Sequence, residues 1–193
     1  MSTQSSLPGF EPALPTDRFF LAIFPDPQHA TQLATLAAQH LTGHPSKNGA
    51  TETSRLHVTL FDLGDYTELP PSLVTNATEA LSRLVAKPFT IHFNQIGSFS
   101  RRQPSGPLVL TASDGNEELQ ALRRQLATHL RASALGRLTH NSFEPHMTVA
   151  YKAPTIPFEK ITPISWPASE VALVHSLLGK TRHIHLATKR LEP

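Results

Sequence analysis

The chain contains no cysteine, one tryptophan and two methionines in 193 residues. Without cysteine there is no disulfide scaffold, no thiolate metal site and no thiol nucleophile. Charge is sparse too, with only 17% of residues Asp, Glu, Lys or Arg and a formal net charge of +2. So even a balance sets up no strong field for a polyanion. Long apolar runs are also missing. The longest, Phe19 to Phe24, has six residues, far below the ~20 that a membrane-spanning helix needs. The first sixteen residues lack the basic start and apolar middle of a secretory signal. Rich in Ser, Pro and Thr, residues 1–16 read as a flexible tail, and a cytoplasmic location is the default expectation. No P-loop, dinucleotide-binding glycine fingerprint or Gly-x-Ser-x-Gly elbow occurs.

What remains is enough to fold, since 39% of the residues are hydrophobic and the length suits one domain or two small lobes. Arg18 to Phe24 reads as a buried strand stopped by Pro25-Asp26-Pro27, and Asp26 caps a helix with Pro27 at its first position. Leu33, Leu36, Ala37 and Leu41 give that helix its apolar face. A polar loop follows over Thr42 to Ser54, then a strand from Arg55 to Leu63 ended by Gly64-Asp65. A helix is expected over Leu69 to Val85, a strand over Phe89 to Phe99, and a loop over Ser100 to Pro107. The second half repeats the style, with a strand over Pro107–Thr111, a helix over Asn116–Ala134 and a strand over Pro145–Tyr151. A proline-rich connection, Pro154 to Pro167, leads to a closing hairpin of Glu170–Leu178 and Arg182–Lys189 turned at Gly179-Lys180.

Shifting the chain against itself by 89 positions superposes Leu21 on Leu110, Leu33 on Leu122, Leu41 on Leu130 and His57 on His146. Each half therefore reads strand, helix, histidine-bearing strand, at matching internal distances. Two copies of so long a unit describe a duplicated lobe and not a solenoid.

Eleven histidines are the one compositional excess, and the repeat singles out two of them. His57-Val58-Thr59-Leu60 and His146-Met147-Thr148-Val149 alternate polar and apolar residues. On a strand this puts His and Thr on one face and the apolar pair in a core. A His-x-Thr triplet arises about once by chance in this composition, as at His29-Ala30-Thr31. Two copies with apolar partners, at equivalent places in a repeat, do not. Two imidazoles across a cleft suit phosphodiester cleavage: one takes a proton from the attacking water while the other gives one to the leaving oxygen. The two threonine hydroxyls are placed to hold non-bridging phosphate oxygens.

These residues resemble the two-histidine (2H) phosphoesterase superfamily. Within it they resemble the bacterial RNA 2′,3′-cyclic phosphodiesterases once described as 2′-5′ RNA ligases. The likeness runs over about residues 17–192. It includes Arg18–Phe24, Leu56–Gly64, Glu144–Tyr151 and Val174–Arg182. It implies an α+β, bilobal, duplicated fold in which two antiparallel sheets with outer helices surround a central cleft on a pseudo-twofold axis. One such domain is expected over 17–193. It further implies metal-independent, cofactor-free opening of 2′,3′-cyclic phosphates on RNA ends or nucleotides, leaving a 2′-phosphate. His57 and His146 are then the acid–base pair, with Thr59 and Thr148 on the phosphate. His57 is placed as acid and His146 as base, with pseudo-symmetry leaving the reverse open. Other activities of the superfamily, on small cyclic nucleotides, 2′-5′ linkages or ligation, remain alternatives, as does a non-catalytic module that grips RNA ends. A monomer is expected.

The chain departs from its relatives at two places. The aromatic residue they commonly carry five positions after the first histidine is here Asp62, and the arginine many carry five after the second is Tyr151. Strict alternation makes Phe61 a candidate base contact, with core packing the alternative, and puts Lys152 on the His146 face as a candidate phosphate ligand. Arg101 and Arg102 are candidates for an RNA backbone or else a solvated loop. Lys180 and Arg182 in the last hairpin stand similarly. His183-Ile184-His185 places two imidazoles on one strand face, but no carboxylate or cysteine near in sequence completes a metal set, and none is expected.

Overall fold

A computed structural model describes residues 13–43, 46–99, 102–139 and 142–192. Eight strands form one antiparallel sheet: β1 (Asp17–Ile23), β2 (Val58–Tyr66), β3 (Phe89–Gly97), β4 (Ser105–Thr111), β5 (His146–Pro154), β6 (Glu159–Ala168), β7 (Glu170–Leu177) and β8 (Arg182–Arg190). Their order is β6-β3-β4-β5-β2-β1-β7-β8. Three helices, α1 (Pro27–Gly43), α2 (Pro71–Ser82) and α3 (Glu117–Ala132), complete the α+β architecture. Inverting the strand order exchanges β5 with β2 and β4 with β1, and α3 takes the place of α1. The two expected sheets are therefore halves of one, joined between β2 and β5 by a single residue pair.

Helix α1 forms where its punctuation puts it. Pro27 opens it, the Asp26 carboxylate accepts the His29 backbone N–H at 3.0 Å, and Ala30, Leu33, Ala37 and Leu41 are buried at helical spacing. Leu119, Leu122, Leu126 and Leu130 do the same for α3. All three helices pack on one face of the sheet against Phe19, Leu21, Ile23, Val58, Leu60, Met147 and Val149. Each such side chain, wholly buried, contributes about 1.5–3 kcal/mol. The opposite face carries a small apolar cluster of Phe20, Ala22, Ala172 and Val174, and the rest of it is open. No helix among the described residues is long and apolar enough to cross a membrane.

Several boundaries differ from expectation, each for a local reason. β2 runs on through Gly64 to Tyr66, because Gly64 takes a positive φ of 105° inside a bulge and does not end the strand. β4 begins at Ser105, two residues before Pro107. The proline-rich connection contains β6, which pairs with β3 at the sheet edge, where a proline lacking N–H breaks no ladder. The expected N-terminal tail falls outside the described residues over 1–12. Thr16 is already tied down, its N–H on the Tyr66 carbonyl at 2.9 Å and its own carbonyl accepting from Leu178 at 2.8 Å.

Candidate active site

The seam between the half-sheets is the pair Val58–Met147. These residues are equivalent positions of the repeat, so the pseudo-twofold axis passes through them. Antiparallel register then sets His57 across from Thr148 and Thr59 across from His146. Val58 and Met147 are fully buried, which turns their polar neighbours to the open face. All four are partly exposed there. Neither threonine hydroxyl has a protein partner among the described residues.

The two imidazoles are mounted identically. His57 Nδ1 lies 2.6 Å from the Arg55 carbonyl and His146 Nδ1 lies 2.9 Å from the Glu144 carbonyl. A carbonyl only accepts, so Nδ1–H must donate in both, and Nε2 is left as the atom that exchanges a proton with an occupant of the cleft. His57 stacks on Phe20 with centroids 4.8 Å apart and planes 19° from parallel, and Phe24 closes on it at 5.4 Å. Burial on this apolar floor pushes the His57 imidazole down to about 4, helped by repulsion from Arg55 and His146. His183 packs edge-on against His57 at 5.3 Å and is also pushed down to about 4, by burial first and then by repulsion from His57.

Beside His57 lies a cavity of about 410 Å³ lined by Arg55, Thr59, Asp62, Tyr151 and His183 among others. Arg18 also borders it, but its guanidinium is bound by both Asp65 oxygens, at 2.6 and 2.7 Å. Arg55 has no carboxylate within salt-bridge distance among the described residues, and its Nε is buried without a hydrogen bond. That cation was missed in the sequence, which reads a strand from Arg55; Arg55 instead closes a 3-10 turn over Thr53–Arg55 and β2 begins only at Val58. Phe99 was missed as well. Its ring stands edge-on to His146 at 5.1 Å.

Phe61 and Lys152 are not where strict alternation puts them. Leu60 is left unpaired between Ala22↔Thr59 and Leu21↔Phe61. Val149 is left unpaired in the same way between Val109↔Thr148 and Leu108↔Ala150. The two bulges sit three residues after each histidine and reverse the parity beyond. Phe61 is thereby buried in the core, 3% exposed, with the Arg123 guanidinium 4.5 Å over its ring. Arg123 Nε donates to the Leu60 carbonyl that the bulge releases, at 3.1 Å. Lys152, at a positive φ of 53°, is exposed and does not line the cavity. The positions five after each histidine, Asp62 and Tyr151, take the open face instead.

Arg101 lies outside the described residues, and Arg102 is exposed before β4 without lining the cavity. His29 is held by Asp26 at 2.6 Å on α1, away from the seam. His175 is paired with Asp17 and stacks on Phe19 at 4.7 Å in the core. His183 and His185 do not act as a pair, since His183 meets His57 while His185 packs on Phe24 at 4.6 Å. Among the described residues no three His, Asp or Glu side chains are grouped to hold a metal ion.

A family model described as the 2′-5′ RNA ligase superfamily matches residues 25–180. The chain belongs to this superfamily. Both His-x-Thr strands and the seam between them fall inside the matched span. Among solved structures, E. coli LigT complexed with 3′-AMP is 22% identical with a TM-score of 0.72, covering 93% of this chain and 100% of that one. A structure described as a phosphoesterase is 21% identical with a TM-score of 0.70, covering 92% and 99%. TT0787 of Thermus thermophilus is 23% identical with a TM-score of 0.66, covering 90% and 97%. At these identities the matches establish the superfamily fold. No curated protein matches the chain.

Proposed function

We propose that this superfamily member opens the 2′,3′-cyclic phosphate of RNA ends or nucleotides to a 2′-phosphomonoester, using His57 and His146 as its acid–base pair. The observation that carries the reading is the identical mounting of two imidazoles on either side of the Val58–Met147 pair, each with a threonine hydroxyl opposite. A phosphate seated over the seam meets Thr59 and Thr148 through its non-bridging oxygens, and the Arg55 guanidinium balances its charge. His146 Nε2 takes a proton from water as the water oxygen attacks phosphorus. The bond from phosphorus to the 3′-oxygen breaks, and that oxygen leaves with a proton from His57 Nε2. The 2′-oxygen keeps the phosphate. Each histidine ends in the other's starting state, and exchange with solvent resets the pair. Every proton in this scheme has a protein group to carry it, so no step calls for a metal.

His57 is neutral in the empty cleft, so its service as acid draws a proton in with the phosphate anion, whose charge favours the imidazolium. A second nucleophile fits the same geometry. An RNA 5′-hydroxyl in place of the water yields a 2′-5′ linkage with the same leaving group, consistent with the name of the matching family.

The test is to incubate EDTA-treated protein with a short RNA ending in a 2′,3′-cyclic phosphate and identify the phosphomonoester. A 2′-phosphate is expected, with rates falling about 10²–10⁴-fold in His57→Asn and in His146→Asn. Bound RNA with no product in the wild type refutes hydrolysis, and full activity in either variant refutes the pair.

A further inference from the structure

Phe61, the candidate base contact, is buried in the core and the next residue is an aspartate, so neither offers the cleft an aromatic surface for a base. Among the described residues only three aromatic side chains are exposed: Phe99 at 46%, Tyr151 at 44% and Phe158 at 37%. Tyr151 lines the cavity beside His57 and Phe99 the depression beside His146. Single exposed apolar residues need no explanation, but two of these touch each other beside a proposed acid–base residue. Phe99 is edge-on to His146 at 5.1 Å, and Phe158 is edge-on to Phe99 at 5.5 Å.

The fold is built to hold this pair. A side chain at Gly97 would strike the Phe158 backbone and ring, with its Cβ only 2.7 Å from the Phe158 Cα. Glycine there lets the segment after β5 lie directly on the end of β3. The Ser98 N–H then donates to the Ile156 carbonyl at 3.1 Å, fixing the stretch that carries Phe99 to the stretch that carries Phe158. Two rings are thus presented to solvent beside backbone that this hydrogen bond ties together, which lowers the entropy cost of ordering them on a ligand.

Charge decides what the pair receives. Arg55 and Glu144 are equivalent positions of the repeat: each offers its carbonyl to the nearby histidine, yet their side chains carry opposite charge. Glu144 shares a shallow depression with Phe99, Phe143 and His146. A carboxylate there repels phosphate, while the Arg55 side attracts it. The ligand portion that belongs on the Phe99 side is therefore flat, uncharged and able to donate a hydrogen bond. A nucleobase has all three properties.

We infer that Phe99, supported by Phe158, is the platform on which the base of the bound nucleotide stacks, on the His146 side of the cleft. The inference rests on the proposed function for the place of the phosphate, but its test does not require turnover. Binding of 2′-AMP and of inorganic phosphate to the full chain is measured by calorimetry. Phe99→Ala is expected to weaken 2′-AMP by about 5- to 150-fold, the range for loss of one base–aromatic stack, and to leave phosphate within about twofold. Phe99→Trp is expected to restore 2′-AMP. Equal weakening of both ligands would show that Phe99 merely positions His146, and overturns the platform. So does an unchanged 2′-AMP affinity, a wild type that binds 2′-AMP no more tightly than phosphate, or a loss that appears in Tyr151→Ala instead. A chain that fails to hydrolyse cyclic ends but loses 2′-AMP in Phe99→Ala keeps the platform and rejects the hydrolase. Hydrolysis with no effect of Phe99→Ala does the reverse.

Discussion

Acid should unfold this protein partly through its own cleft. His57 titrates near 4 when folded and near ~6.5 when unfolded. Between those values the unfolded chain binds a proton that the folded chain refuses, so stability falls as pH falls. The contribution is whole above pH 6.5. About 2 kcal/mol of it is gone at pH 5 and about 3 kcal/mol by pH 4. Asp17, Asp26 and Asp65 are lowered when folded. What they contribute persists above the unfolded carboxylate value of ~3.9 and fades only below it, so a window from pH 7.5 to 5 isolates imidazole. The perturbation is His57→Asn, whose amide nitrogen still donates to the Arg55 carbonyl while the titration is removed. Urea denaturation, followed by fluorescence of the buried Trp166, gives the stability of both proteins at the two ends of the window. Wild type should lose about 2 kcal/mol more than the variant. Equal losses would refute the claim that burial on Phe20 holds His57 neutral.

Two further outcomes follow from arginines with opposite duties. Arg55→Gln should lower kcat/KM on a 2′,3′-cyclic nucleotide by about 10- to 100-fold, the worth of one hydrogen bond to a charged group. Arg55→Lys should recover part of this, and steady-state kinetics showing no change would remove Arg55 from the phosphate site. The Arg123 guanidinium lies 4.5 Å from the Phe143 ring as well as from Phe61. Arg123→Met keeps an alkyl chain between them but strands the Leu60 carbonyl, so it should cost about 1–3 kcal/mol of stability in urea denaturation. An unaltered midpoint would mean that the bulge carbonyl finds another donor.

The repeat was legible because it is written in spacing. Strand, helix and His-x-Thr recur at one interval, and helix caps such as Asp26-Pro27 are local. β6 was missed because Pro163 and Pro167 argue against a strand unless the strand is known to be an edge, and edges are set by tertiary order. The bulges at Leu60 and Val149 are likewise invisible to a period-two reading. One clue did exist. The resemblance singles out the position five residues after each histidine, and an odd interval brings two residues to one face only if the alternation is broken between them. Arg55, two residues before His57, was not open to the parity argument that found Thr59, because it closes a 3-10 turn ahead of β2. Nor was Phe99, since nothing local announces that a ring just past the end of β3 reaches His146 on a strand two places away in the sheet.

The Val58–Met147 seam carries one more consequence. A rotation axis has no direction, whereas a nucleic acid strand runs from 5′ to 3′. A perfectly duplicated cleft would accept a phosphodiester in either sense, with its acid and base exchanged. Polarity must therefore be written in the places where the copies have drifted apart: arginine against glutamate two residues before the histidine, aspartate against tyrosine five residues after it. On the proposed mechanism the repeated strands bear the reacting groups, and the mismatches between them tell the two ends of a bound strand apart.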